Sequence, residues 1–168
     1  FTGKAAGTLV EALVPTLGTW VRHASSTGSA AITSDSVALR GPGSTSQFCV
    51  ATLANQALGS GVFVELDCKV LTNNAQLTSY AVARASSADL TFLAAGYNGS
   101  AWRILKYVAG TATVLGTYTF AETVGALPTM RFEVETGIQR LYRNDVLVLT
   151  TSEPDSGLGA TGTGLGLR

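Results

Sequence analysis

The sequence predicts an all-β domain, a two-sheet antiparallel sandwich, on three observations. Apolar and polar residues alternate at period two through most of the chain. No segment of helical length carries a convincing i, i+3, i+4 apolar stripe, and Gly, Ser, Asn and Asp break the alternation repeatedly. About a dozen short strands of this kind imply a sandwich.

Taken in chain order, strands are expected at Trp20 to His23 and Val37 to Arg40, then at Phe48 to Ala54 and Val62 to Leu71. The last is the clearest. Val62, Val64, Leu66, Cys68 and Val70 share one face, while Glu65, Asp67 and Lys69 share the other, so one side meets the core. Pairing it antiparallel with Phe48 to Ala54 around Gly59-Ser60-Gly61 would set Cys49, Ala51 and Leu53 opposite Cys68, Leu66 and Val64. The two cysteines would then be neighbours in the core. Reduced thiols are the expected state, because directly opposed positions strain a disulfide.

Further strands are expected at Ser79 to Ala85, Leu90 to Tyr97, Ala101 to Ala109 and Thr113 to Tyr118. Asn98-Gly99-Ser100 is both a glycosylation acceptor triplet and a hairpin turn between Tyr97 and Trp102, and the turn is the preferred reading. Thr129 to Glu135 alternates Met130, Phe132 and Val134 with Arg131, Glu133 and Glu135, and Thr136-Gly137 turns it into Ile138 to Arg143. That register sets Phe132 against Leu141 and Glu133 against Arg140. Asn144-Asp145 suits the positive φ values of a type I′ hairpin and would bring Val148 opposite Leu141, completing a meander. A Gly-, Ser- and Thr-rich loop from Ser152 then leads to a final strand ending at Leu165-Gly166-Leu167-Arg168.

Composition narrows the function. Residues 1–168 are expected to form one domain, since 46% hydrophobic content in 168 residues fills a core without metals or many disulfides. The absence of an initiator Met suggests a piece of a longer chain. Eleven basic residues balance eleven acidic ones, which argues against nucleic-acid binding. No apolar run approaches the roughly 20 residues that span a bilayer, so no membrane insertion is expected. Asp67, Asp89, Asp145 and Asp155 are dispersed and the cysteines lack ligand spacing, so neither a metal nor another cofactor is expected. His23 is the sole histidine and no nucleophile-elbow motif is present, which leaves little room for triad chemistry.

Several runs carry a family likeness. Phe1-Thr2-Gly3, Gly7-Thr8-Leu9 and Pro15 with Gly18-Thr19-Trp20 resemble the amino-terminal region of laminin G-like domains in phage structural and tail proteins. Ala101-Trp102-Arg103-Ile104-Leu105-Lys106-Tyr107-Val108-Ala109-Gly110 resembles a strand ending in a Gly turn in that family. Leu141-Tyr142-Arg143-Asn144-Asp145 resembles its penultimate hairpin, and Asp155 with Gly162 and Gly164-Leu165 its closing loop and strand. The chain thus resembles the concanavalin A-like lectin/glucanase superfamily, which implies a jelly roll. Two departures stand out: Ala12-Leu13-Val14 replaces a more polar segment, and such domains add one more strand after Arg168 to pair with the first, which a neighbouring chain could supply.

The resemblance implies two kinds of site. Hydrolases of the superfamily carry carboxylates two apart on a sheet face, and retaining enzymes hold the pair at roughly 5–5.5 Å. Glu65-Leu66-Asp67 begins that pattern, but Lys69 stands where the acid/base carboxylate is expected, so a glycoside hydrolase or a degenerate relative of one is the alternative and not the first reading. A lectin site would combine aromatic faces with amide, carboxylate or guanidinium groups. Tyr97, Asn98 and Trp102 flank one turn, and Tyr80, Arg84, Glu65, Asp67 and Lys69 are expected on the outer face of one sheet. Trp20 is expected in the core, whereas Trp102 stands open between core packing and ligand contact. The expected function is a non-catalytic domain of a phage virion, in capsid decoration or a tail fibre. Its expected partners are copies of itself, other virion proteins and host-surface glycans.

Overall fold

The computed structural model describes residues 19–22, 29–33, 36–40, 49–54, 61–68, 70, 79–86, 89–154, 158 and 163–167. Among these residues there is no helix, and therefore none long and apolar enough to cross a membrane. The strands are β1 (Thr19–Arg22), β2 (Ser29–Thr33), β3 (Ser36–Arg40), β4 (Cys49–Ala54), β5 (Gly61–Asp67), β6 (Ser79–Ala83) and β7 (Phe92–Tyr97). They continue with β8 (Trp102–Val108), β9 (Thr111–Tyr118), β10 (Thr129–Glu135), β11 (Ile138–Arg143), β12 (Val146–Ser152) and β13 (Thr163–Leu167). One sheet has seven strands in the order β1-β4-β13-β6-β7-β8-β9, the other has four in the order β12-β11-β10-β5, and β2 and β3 form a separate hairpin. Every pairing is antiparallel, as the sequence predicts.

The core lies between the two sheets. Ala81, Ala83, Leu93, Ala95, Trp102 and Ile104 of the larger sheet meet Met130, Phe132, Val134 and Leu141 of the smaller one. Val62, Val64 and Leu66 close it from β5, so the alternation read in that strand does point its apolar face inward. A second apolar cluster covers the opposite face of β6, β7 and β8 through Tyr80, Val82, Phe92, Ala94, Leu105 and Tyr107. β7 is buried on both sides, which is why it reads Phe-Leu-Ala-Ala-Gly-Tyr with no charged residue, whereas β8 keeps Arg103 and Lys106 partly exposed. The β2–β3 hairpin lies near β4 and β13.

The meander of β10, β11 and β12 forms with Phe132 opposite Leu141 and Glu133 opposite Arg140. Asn144 and Asp145 have φ of 48° and 63°, the left-handed pair that a type I′ turn demands. One detail differs: a bulge at Leu141/Tyr142 sets Leu149, not Val148, opposite Leu141. Both Val148 and Leu149 pack on the core, so the extra residue is absorbed where the strand bends.

One long-range expectation is corrected. β4 pairs with β1 and β13, and β5 pairs with β10, so Cys49 lies opposite Leu167 while Cys68 follows β5 at the edge of the other sheet. Period-two alternation fixes which face of a strand is apolar, but Met130, Phe132 and Val134 offer β5 as good an apolar partner as β4 does. The Cys68 amide then extends the β5–β10 ladder by donating to the Pro128 carbonyl at 2.9 Å. β13 lies inside the seven-stranded sheet, hydrogen-bonded to β4 on one side and β6 on the other. β2, Ser-Ala-Ala-Ile-Thr, is a strand beyond those expected from the sequence.

Along one side the sandwich closes where β9 and β12 approach. A Cβ placed on Gly116 would lie 2.8 Å from Thr151 Cγ2 and 3.1 Å from Leu149 Cδ1. Thr151 is held in place by donating its hydroxyl hydrogen bond to Gln139 Oε1 at 3.0 Å, and Lys106 Nζ reaches Glu153 at 2.6 Å beside it. Gly116→Val is therefore expected to destabilise the fold by about 1–3 kcal/mol through overpacking, read as a lower midpoint in chemical denaturation. An unchanged midpoint would show that the two strands separate freely there.

Candidate functional site

The Tyr97–Trp102 hairpin forms as expected, but its side chains turn inward. Tyr97 and Trp102 are directly opposed across β7 and β8, with ring centroids 5.3 Å apart, and Trp102 is completely buried. Asn98 is buried too, and its Oδ1 accepts hydrogen bonds from the Ala101 amide at 2.9 Å and from the Ser100 amide and hydroxyl, both at 3.2 Å. With Gly99 at φ 89°, this residue shapes the turn. The three residues thus form a wall of the core and its turn, and none offers an open ligand face. The positions at which the strands enter and leave the turn share the inward parity of Leu93, Ala95 and Ile104.

A buried carboxylate completes that end of the sandwich. Glu122 accepts a hydrogen bond from the Trp102 indole at 2.8 Å, and Arg143 grips it through Nε and, at 2.9 Å, through Nη2. The Glu122 amide donates to the Tyr97 hydroxyl at 3.0 Å. The Arg143 guanidinium also lies 4.4 Å from the centroid of the Phe120 ring, whose plane is parallel to Tyr118. Hydrogen bonds from Arg143 hold the Glu122 carboxyl below the usual carboxylate range; burial opposes this, and the Trp102 bond and the Arg143 charge reinforce it. Cys68 is a free thiol in the same region, pushed up to about 11 by burial and by the Glu122 charge, which leaves it un-ionised at neutral pH.

The expectation that Tyr80, Arg84, Glu65 and Asp67 share a face is corrected. Tyr80 lies in the seven-stranded sheet, buried in its outer cluster, and accepts a hydrogen bond from the Tyr107 hydroxyl at 3.0 Å. Arg84 follows β6 in the same sheet, buried and at φ 55°. Glu65 and Asp67 belong to β5 of the four-stranded sheet, on its solvent side. Alternation assigns parity within a strand and says nothing about which of two sheets the strand joins. Lys69, His23 and Asp155 lie outside the described residues.

What the structure does assemble around Glu65 and Asp67 is a mixed aromatic and polar face. The β5–β10–β11 register places Glu65 beside Arg131 and Arg131 beside Tyr142; in the next row Phe63 stands beside Glu133 and Glu133 beside Arg140. Arg131 is the hub. Its guanidinium carbon lies 4.2 Å from the Tyr142 ring centroid, its Nε 3.1 Å from Glu133, and its Nη1 3.6 Å from Asp145 and 4.0 Å from Glu65. Asp67 accepts a hydrogen bond from the Thr129 hydroxyl at 2.8 Å, and Arg140 pairs with Glu135 at 2.8 Å. Phe63 is 65% exposed in the midst of these charges. Sequence reasoning placed Glu65 and Asp67 on an outer face but missed Phe63, Arg131, Glu133 and Tyr142. The alternation of β5 and β10 already holds three of them; what was lacking was the pairing of those two strands.

No protein-family model and no curated protein sequence matches the chain. Solved structures do. A carbohydrate-binding module, CBM66 from Bacillus subtilis, superposes with a TM-score of 0.70 at 18% identity, covering 92% of this chain and 90% of that one. The Bacillus licheniformis β-glucanase gives a TM-score of 0.55 at 12% identity over 99% and 85% of the two chains. Sheep galectin-11 gives 0.52 at 11% over 70% and 87%. The chain therefore has the concanavalin A-like jelly-roll fold. At these identities the likeness concerns fold, and function rests on the site.

Among the described residues no group of three or more His, Cys, Asp or Glu side chains is placed to hold a metal ion. Removing the buried carboxylate by Glu122→Ala strands the Arg143 guanidinium and the Trp102 indole, and is expected to cost about 3 kcal/mol. Because folding lowers the pKa of Glu122, its contribution is full above the ordinary carboxylate value and fades as pH falls through the lowered one. Denaturation of wild type and variant across that acid range should converge; a gap that persists at the lowest pH would show that the carboxylate charge is not what stabilises this end.

Proposed function

We propose that this chain is a non-catalytic carbohydrate-recognition domain whose ligand lies on the solvent face of the four-stranded sheet. The observation that carries the reading is Phe63, a largely exposed aromatic ring set on a rigid strand among Glu65, Glu133 and Arg131. An aromatic face packs against the C–H surface of a sugar ring, while carboxylates and guanidinium groups bond its hydroxyls. A lone exposed phenylalanine is unremarkable on a surface, but one ringed by fixed hydrogen-bonding groups is the arrangement a polyol needs. The fold shared with a carbohydrate-binding module and a galectin supports the same reading.

Catalysis is the weaker reading of this face. Glycoside hydrolysis needs a carboxylic acid poised to protonate the leaving oxygen. Asp67 instead takes the Thr129 hydroxyl, and Glu65 faces the Arg131 guanidinium.

The particle context is also part of the proposal: a single domain over residues 1–168, displayed on a phage virion and contacting copies of itself or other virion proteins. The amino-terminal landmarks Phe1-Thr2-Gly3 and Gly18-Thr19-Trp20 and the low charge content, 13%, support it.

Glycan-array binding followed by titration tests the site. Phe63→Ala is expected to weaken the best glycan roughly tenfold while moving stability by no more than about 0.5 kcal/mol, as for other exposed positions. Wild-type affinity in the Phe63→Ala protein, or no glycan bound even at millimolar concentration, would refute the assignment.

A further inference from the structure

On the reading that the outer face of the four-stranded sheet binds glycans, we infer that it selects sugars bearing a free amine, and rejects acidic ones. The argument rests on how the polar groups of that face are already committed. Arg131 and Arg140 are its cations among the described residues. The Arg131 guanidinium is covered on one side by Tyr142 and faces Glu133, Asp145 and Glu65 around its edge. Arg140 is held by Glu135 at 2.8 Å. Each guanidinium charge is thus already met by carboxylates of the same face.

Acceptors, by contrast, are in excess. Five carboxylates, from Glu65, Asp67, Glu133, Glu135 and Asp145, share the face with those two guanidiniums. Asp145 is 81% exposed at its side chain and Glu65 47%, so their oxygens keep lone pairs open to solvent after the pairing with Arg131. An ionised carboxylate only accepts hydrogen bonds. A ligand that satisfies this face must therefore bring donors, and a protonated amine brings three together with the compensating charge. The Phe63 ring adds a surface that favours a cation over an anion, because the face of an aromatic ring is its negative pole. Among the described residues an acidic glycan meets carboxylates it cannot bond and an excess of negative charge.

The test is a titration of the intact chain with glucosamine oligosaccharides, their N-acetylated counterparts of equal length, and polygalacturonate. It is run at mildly acidic pH, where sugar amines are protonated and exposed carboxylates stay ionised. The amine form is expected to bind about fivefold more tightly than the acetylated form at low salt, with the preference shrinking as salt rises, and polygalacturonate is expected not to bind. Glu65→Gln should lower the ratio of the amine form's affinity to that of the acetylated form. Equal affinity for amine and acetylated forms, or binding of polygalacturonate at the Phe63 face, would overturn the charge selection while leaving glycan recognition standing. Failure of all three to bind, with neutral glycans binding on the array, overturns the selection alone; failure of every glycan overturns both.

Discussion

Strands β6 and β7 are apolar on both faces, and that constraint organises the rest of the molecule. Alternate residues of β7 feed two separate clusters: Leu93, Ala95 and Tyr97 face the smaller sheet, whereas Phe92 and Ala94 face the outer layer. Each buried ring or aliphatic side chain of that size contributes about 1.5–3 kcal/mol when removed from water. A sheet that needs cover on both sides cannot leave its centre as an open binding surface. The four-stranded sheet needs cover on one side only, so the polar half of its alternation is free to meet a ligand.

The same division explains the two fates of the polar residues. Glu122, Arg143 and Gln139 lie against the core and find their partners within the chain: Glu122 takes Arg143 and Trp102, and Gln139 takes Thr151 and the Glu153 carbonyl. Each removes a donor or acceptor that would otherwise be stranded away from water. Arg131, Glu133 and Glu65 make looser pairs at the surface, where each is worth little for stability. Weak internal pairing is the condition under which a polar group can exchange its partner for a ligand.

Legibility in the sequence followed the range of the interaction. The β10–β11–β12 meander was readable because its turns are two residues long and its strands are neighbours, so Phe132 and Leu141 could be registered directly. The β5–β10 pair joins residues such as Asp67 and Thr129, 62 positions apart, and nothing in either strand's alternation selects one apolar partner over another. That single ambiguity displaced Cys49 from Cys68 and hid the neighbourhood of Glu65. The hairpin at Asn98 is legible as a turn, whereas the choice between core and ligand contact for Trp102 stays open in the sequence, although strand parity continues the inward row of Ala95 and Ile104 through Tyr97 and Trp102. Aromatic residues beside a turn look like rim residues in one dimension, and only the depth of the sandwich shows that they close it.

Arg131 carries a consequence for thermodynamics as well as chemistry. A free arginine side chain loses considerable rotamer entropy when a ligand fixes it, about 0.5–1.5 kcal/mol for a side chain immobilised at an interface. Stacked on Tyr142 and flanked by Glu133, Asp145 and Glu65, Arg131 has spent much of that freedom during folding. The face is preorganised, and small, weakly held ligands such as single sugar units are the ones that gain most from a surface that need not be ordered again.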